Sequence, residues 1–90
     1  MIHISNFSMT HTEIQERLFK IVKVYLPQDV DATAIKPESH LMNDLNINSA
    51  HLVDVALDVE DAFDIVLNEK DMEEMQTVSD AVRIVQAKTS

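Results

Sequence analysis

Apolar side chains recur at three- and four-residue steps in three separate stretches of this chain, and a repeat of that length is the mark of amphipathic helices. Ile14, Leu18, Ile21, Val22 and Tyr25 make one stripe, Leu52, Val55, Ala56, Val59 and Phe63 a second, and Val78, Ala81, Val82 and Val85 a third. Ninety residues leave room for one domain only, so the three stripes are expected to pack on one another. The expected fold is all-α, with residues 1–90 as a single domain of three main helices and one short helix. A chain this short withdraws only about 60–65% of its unfolded surface from water, which implies a thin core and modest stability.

Local signals place the ends of these helices. Thr10 followed by Glu13 is a capping-box pattern, Thr12 is a second candidate cap, and Pro27 forbids continuation, which predicts a helix over about 11–26. Asn48 is suited to cap a helix over 49–63, Asn68 one over 69–74 that buries Met72 and Met75, and Thr77 with Asp80 one over 78–87. Asp64-Ile-Val-Leu67 is too short to be more than an extended link. Between the first two helices, residues 28–48 carry Asp29, Asp31, Pro37, Asn43, Asp44, Asn46 and Asn48 without a sustained period. A connection this long in a small domain is usually functional or packed. Ile35, Leu41, Leu45 and Ile47 would fasten it to the core, so an ordered loop is expected, whereas residues 1–9 are expected to be flexible.

Sixteen acids against seven bases give a formal charge of −9, and its distribution excludes one class of partner. Ten acids (Asp44, Asp54, Asp58, Glu60, Asp61, Asp64, Glu69, Asp71, Glu73, Glu74) and a single base, Lys70, fall between residues 44 and 74, and the remainder is neutral. Such a field repels phosphate backbones, and no segregated basic patch exists to oppose it, so no nucleic-acid partner is expected. The first ten residues lack the basic flank and apolar stretch of a secretory signal, and no apolar run reaches the length of a membrane span. The chain has no cysteine, hence no disulfide and no thiolate zinc site. A cytoplasmic monomer with positively charged partners is the expectation.

Two metal readings fail on spacing. Asp44-x-Asn46-x-Asn48 begins like a calcium loop, but the sixth position is Ser49 rather than glycine and the twelfth is Val55 rather than glutamate. His3, His11, His40 and His51 lack the four-residue pairing of a helical zinc site.

The stretch Asp44-Leu-Asn-Ile-Asn-Ser-Ala-His-Leu-Val-Asp-Val-Ala-Leu-Asp-Val-Glu-Asp-Ala-Phe-Asp64 resembles the signature of acyl carrier proteins. That pattern runs Asp-Leu-Gly-x-Asp-Ser-Leu, then an acidic helix ending in Glu-x-x-Phe, a short helix, Thr-Val and a last helix. Here the serine is Ser49, the acidic helix ends Glu60-Asp-Ala-Phe63, and Thr77-Val78 opens the last helix. The match is close over residues 41–85 and looser before them. It implies a small acyl-carrier-like bundle in which Ser49 bears a 4′-phosphopantetheine arm, transferred from coenzyme A by a separate magnesium-dependent phosphopantetheinyl transferase. The arm's thiol would hold acyl groups as thioesters for acyl-loading, elongating or acyl-transfer enzymes of fatty acid, lipid or related biosynthesis.

The resemblance also implies a partner surface. Asp54, Asp58, Glu60 and Asp61 would meet basic patches on those enzymes, with Ala50, Val53 and Leu57 as apolar contacts among them. Exposed ion pairs are individually worth about 0–1 kcal/mol, yet a field of them speeds encounter and makes it salt-sensitive. Val55, Ala56, Val59 and Ala62 are small or medium-sized, so the helices could part to admit an acyl chain, with each buried methylene contributing roughly 0.8 kcal/mol.

Physics independent of the resemblance favours the same serine. A serine opening a helix sits beside unpaired backbone N–H groups and the positive end of the helix dipole, a ready anion site. It is not expected to be a catalytic nucleophile, because a nucleophile needs a positioned base, and His51, two residues on, points elsewhere on a helix. The chain therefore reads as a substrate of enzymes and not as an enzyme.

Three positions depart from the pattern. Asn46 stands where glycine is usual but tolerates positive φ; Asn48 stands for aspartate, keeping a cap while losing a charge; Ala50 stands for leucine, a smaller apolar contact. These departures favour a specialised carrier. Two other readings are a peptidyl or aminoacyl carrier, whose usual Gly-Gly and less acidic second helix are missing here, and an acidic helical adaptor with no prosthetic group.

Overall fold

The computed structural model describes residues 10–89. The order is α1 (His11–Val24), a single 3-10 turn (Ala32–Ala34), α2 (Ser49–Phe63), α3 (Glu69–Glu74) and α4 (Val78–Thr89). The architecture is all-α, and the only extended pairing among the described residues is an isolated bridge between His40 and Thr77. The segment expected to be flexible, residues 1–9, lies outside the described residues.

Each helix begins where a side chain can satisfy its first N–H groups. Thr10 Oγ1 accepts the Glu13 N–H at 3.1 Å while Glu13 Oε1 accepts the Thr10 N–H at 3.0 Å, a complete capping box. Asn68 and Asp71 repeat the arrangement before α3, at 2.8 and 3.0 Å. Thr77 and Asp80 do the same before α4, at 3.0 and 3.1 Å.

Helix ends follow different rules. α1 stops at Val24, two residues short of the expected Leu26. The helix tightens first: the Tyr25 N–H bonds back to Val22 O at 3.0 Å and the Leu26 N–H to Lys23 O at 3.4 Å. Such three-residue bonds close a last turn when proline blocks the next one. α4 runs to Thr89, two residues past the expected end, since nothing after Val85 breaks a helix, and Thr89 Oγ1 folds back to Val85 O at 2.8 Å.

The stripes meet as their period requires. Ile14, Leu18 and Val22 of α1 pack with Val55, Ala56, Val59 and Phe63 of α2 and with Val78, Ala81, Val82, Ile84 and Val85 of α4. Arg17 lies across the lower edge of this contact, its guanidinium 5.9 Å from the Phe63 ring centroid and 3.5 Å from the Ala62 carbonyl, where a cation meets the negative end of α2. Ala62 is exposed and so lines no core opening, contrary to expectation: it stands at the edge of the stripe, in the last turn of α2. α3 contributes no fully buried residue. At six residues it is too short to persist alone, and it is held by buried Met75 just after it and by the Lys88–Asp71 pair at 2.8 Å.

The long connection is ordered by its anchors. Leu41, Leu45 and Ile47 are buried, and Ile35 half-buried against the core. Its latter part is pinned to the start of α4: the Leu41 N–H donates to Gln76 O at 2.8 Å, Val78 N–H to Ser39 O at 3.2 Å and Ser79 N–H to Pro37 O at 2.8 Å. Leu45 and Ile47 both point inward, and the residue between, Asn46, takes φ 56°.

Asn46→Gly is therefore expected to change the melting temperature little. Asn46→Val, which forces a β-branched side chain to positive φ, should cost about 1–2 kcal/mol, each kcal/mol appearing as roughly 4–8 °C in a domain this small. Equal melting temperatures for the two variants in a calorimetric scan would show that the left-handed turn is dispensable.

Candidate functional site

Ser49 is the first residue of α2 and is exposed. Two features of the preceding chain put it there. Buried Ile47 ties the approach to the core, its N–H bonded to Leu41 O at 3.1 Å. Asn48 then caps the helix, its Oδ1 accepting the His51 N–H at 2.8 Å while its carbonyl accepts the Leu52 N–H at 2.9 Å. The N–H groups of Ser49 and Ala50, ahead of those two, have no carbonyl to meet within the helix.

The electrostatics suit an anion on that hydroxyl. The first turn of α2 contains no acid, so a phosphodiester there would meet the helix dipole and unpaired donors without a like charge beside it. Asp44, the nearest acid before it, is engaged elsewhere, its Oδ2 accepting the His40 N–H at 2.7 Å.

Beside this helix start lies a groove of about 320 Å³, open to solvent. Leu52, one turn along from Ser49, forms part of its wall with Met42, Met72 and Met75, and His40, Glu73 and Gln76 add polar atoms. An apolar cavity of about 150 Å³ already holds a benzene-sized molecule, so this groove has room for several methylenes. Val55, Ala56 and Val59, by contrast, are closed against the core; space for an alkyl chain lies at the rim of the bundle and not between those positions.

The residues expected to meet partners occupy different settings. Ala50, Val53, Asp54, Leu57 and Asp61 are exposed, Val53 by 47% and Leu57 by 56%. Asp58 and Glu60 are half-buried and bonded within the chain. Asp58 Oδ2 accepts the Tyr25 hydroxyl at 2.5 Å, joining the end of α1 to α2. Glu60 Oε2 accepts the Leu67 N–H at 2.7 Å and its carbonyl accepts the Ile65 N–H at 3.1 Å, which shapes the link after α2.

Sequence reasoning missed two of these roles. Tyr25 was visible only as an apolar stripe residue; its ring also lies 5.8 Å from that of His51, and its partner Asp58 is 33 residues away. His40 was legible only as a loop histidine, although its spacing of four from Asp44 is a local signal of the turn it closes. Among the described residues no cluster of three or more His, Asp or Glu is placed to hold a metal ion, and no helix is long and apolar enough to cross a membrane.

Comparison with known proteins fits this geometry. The family model for the phosphopantetheine attachment site matches residues 16–85. The chain is 36% identical over 76 residues to an acyl carrier protein of Desulforapulum autotrophicum, covering 84% of this chain and 97% of that one. It is 36% identical over 75 residues to an acyl carrier protein of Coprothermobacter proteolyticus, covering 81% and 92%. Its fold is similar to the solved acyl carrier protein of Enterococcus faecalis, with a TM-score of 0.73 and 26% identity over 89% of this chain and 99% of that one. With the serine-led acidic helix, the short α3 and these relatives together, the chain belongs to the acyl carrier protein family, whose prosthetic group is covalently attached 4′-phosphopantetheine. The family's members are carriers, modified by a phosphopantetheinyl transferase and visited by acyl-handling enzymes.

The Tyr25–Asp58 bond has a measurable signature. The hydrogen bond to Asp58, then burial, then the charges of Asp58 and Asp54, push the Tyr25 hydroxyl up from 10.0 to about 12. A folded-state value above the unfolded one means that this contribution to stability is complete below pH 10.0 and disappears as pH rises through about 12. Tyr25 is the only tyrosine, so an ultraviolet phenolate titration reads it alone. Asp58→Asn should bring the midpoint back toward the ordinary value; an unchanged midpoint would show that Asp58 is not the cause.

Proposed function

We propose that Ser49 carries the phosphopantetheine arm and that the groove beside α2 receives the acyl chain it bears. The observation that carries this reading is the exposed Ser49 hydroxyl, at an acid-free helix start with two unpaired N–H groups, one turn from an apolar groove. When attached, the arm supplies the thiol that this cysteine-free chain lacks, and acyl groups ride on it as thioesters. Ser49 and Ala50 N–H groups steady the phosphodiester; Leu52, Met42, Met72 and Met75 shelter methylenes from water at roughly 0.8 kcal/mol each.

The chain acts as a substrate for enzymes. Ser49 and His51 stand two apart on a helix and point in different directions, and the His51 ring lies toward Tyr25, which leaves the serine without a base of its own. Asp54 and Asp61, with Val53 and Leu57 between them, form the face that basic patches on the transferase and acyl-handling enzymes meet; Ala50 borders it, and Asp58 and Glu60 support it from within. The absence of cysteine fits a reducing, cytoplasmic setting. Asn46, Asn48 and Ala50 support a specialised carrier with partners of its own.

Incubation with coenzyme A and a broad-specificity transferase should add one phosphopantetheine mass, and Ser49→Ala should add none; gain on the alanine variant would move the site elsewhere. Loading with saturated chains of increasing length should raise the melting temperature stepwise until the groove is full, and a flat series would count against an internal seat for cargo. Asp54→Lys with Asp61→Lys should lower transferase kcat/KM by about tenfold or more at low salt, with the difference shrinking as salt rises.

A further inference from the structure

The described residues contain three methionines, and all three line one groove: Met42 from the long connection, Met72 from α3 and Met75 just after it, with Leu52 of α2 as the remaining apolar wall. Their access to solvent is graded. Met42 is 42% exposed, Met72 is half-buried against the core, and Met75 is 2% exposed. A thioether is an apolar side chain that a mild two-electron oxidant converts to a polar one, and access decides which thioether reacts. With no cysteine in the chain, no thiol of its own intercepts the oxidant first.

We infer that this methionine cluster is a reversible oxidation site for peroxides, entered at Met42 and spreading to Met72 and Met75 as α3 loosens. One peroxide oxygen bonds to the Met42 sulfur as the O–O bond breaks; the sulfur gives up two electrons, and the other oxygen takes the proton of the transferred one and leaves as water. The sulfoxide that remains is polar, and it stands where the long connection, the start of α2 and α3 meet. α3 is the element least able to absorb the change. It is six residues long, has no fully buried residue, and is held by its capping box, the Lys88–Asp71 pair at 2.8 Å and buried Met75. An element with so few buried contacts opens at low cost, and each opening brings Met75 to the oxidant. Oxidation at Met42 makes such openings more frequent, so the sulfurs react in order and the first reaction accelerates the later ones. Methionine sulfoxide reductases return each sulfur to the thioether, which makes the change reversible. Ser49 takes no part in this chemistry, so the inference stands apart from the reading of that residue as the arm-bearing one.

The test exposes the full chain to excess hydrogen peroxide and follows the gain of one oxygen at each methionine over time by peptide mass, with Met1 and Met9, outside the described residues, counted on their own peptides. Met42 should convert at least about tenfold faster than Met75, with Met72 between them. A sample stopped once Met42 has converted should melt at a lower temperature than untreated protein, and the two sulfoxide reductases, one for each epimer, should restore it. Met42→Leu keeps the wall apolar at similar volume; in this variant the conversion of Met75 should slow by about threefold or more. Met42 converting no faster than Met75, a melting temperature untouched by the Met42 sulfoxide or not restored by the reductases, or a Met75 rate unchanged in Met42→Leu overturns the inference. If Met42→Leu folds poorly, the order of rates and the reversal in the unsubstituted chain decide alone. Failure of Ser49 to gain an arm overturns the attachment reading and leaves this result as it stands.

Discussion

At Asn46 the backbone enters the left-handed region, and the site depends on that reversal. An extended chain alternates its side chains, so Leu45 and Ile47 would share a face only while the strand ran on; here the chain must also turn and start a helix within two residues. The positive φ at Asn46 makes the turn, and the Leu41 carbonyl, accepting the Ile47 N–H, closes it. With Ile47 then locked in the core, Asn48 falls where a cap is needed and Ser49 emerges at the first helical position. A hydroxyl presented this way meets solvent, unpaired N–H groups and the helix dipole together.

The acidic character of α2 divides into two kinds of work. Asp58 and Glu60 hold the chain to itself, one fastening the end of α1 and the other shaping residues 65–67. Asp54 and Asp61 remain exposed. The acids open to direct contact are therefore fewer than composition implies, and they are interleaved with exposed Val53 and Leu57. Charges in that arrangement steer encounter more than they hold a complex together, which suits a protein that must leave each enzyme it visits.

Much of this was legible because helix starts are local events. A cap and its target lie three residues apart, so Thr10, Asn48, Asn68 and Thr77 could be read directly, and the acyl carrier resemblance rested on equally local spacing around Ser49. What the sequence hid was set by distance along the chain. Nothing near Tyr25 indicates a partner at Asp58, and nothing near His40 indicates that Gln76 will share a groove with it. The end of α1 is hidden for a subtler reason: Pro27 fixes where a helix cannot continue, but the switch to three-residue bonds before it depends on how Tyr25 and Leu26 pack. Ala62 has the size and nearly the period of a core residue, and only its place in the last turn of α2 leaves it exposed.

The location of the groove follows from how the core is closed. α1, α2 and α4 contribute most of the fully buried residues, and their contact leaves Val55 and Val59 almost no exposure; parting them would sacrifice packing along the whole bundle. α3 is different. It is six residues long, has no fully buried residue of its own and is tied by a capping box, one ion pair and the neighbouring Met75. An element with so few buried contacts is the one that yields at least cost. The groove opens against this element, and three of its four apolar walls are methionines, unbranched side chains that refit themselves to what lies beside them. A thin core can thus leave room at its edge while its centre stays shut.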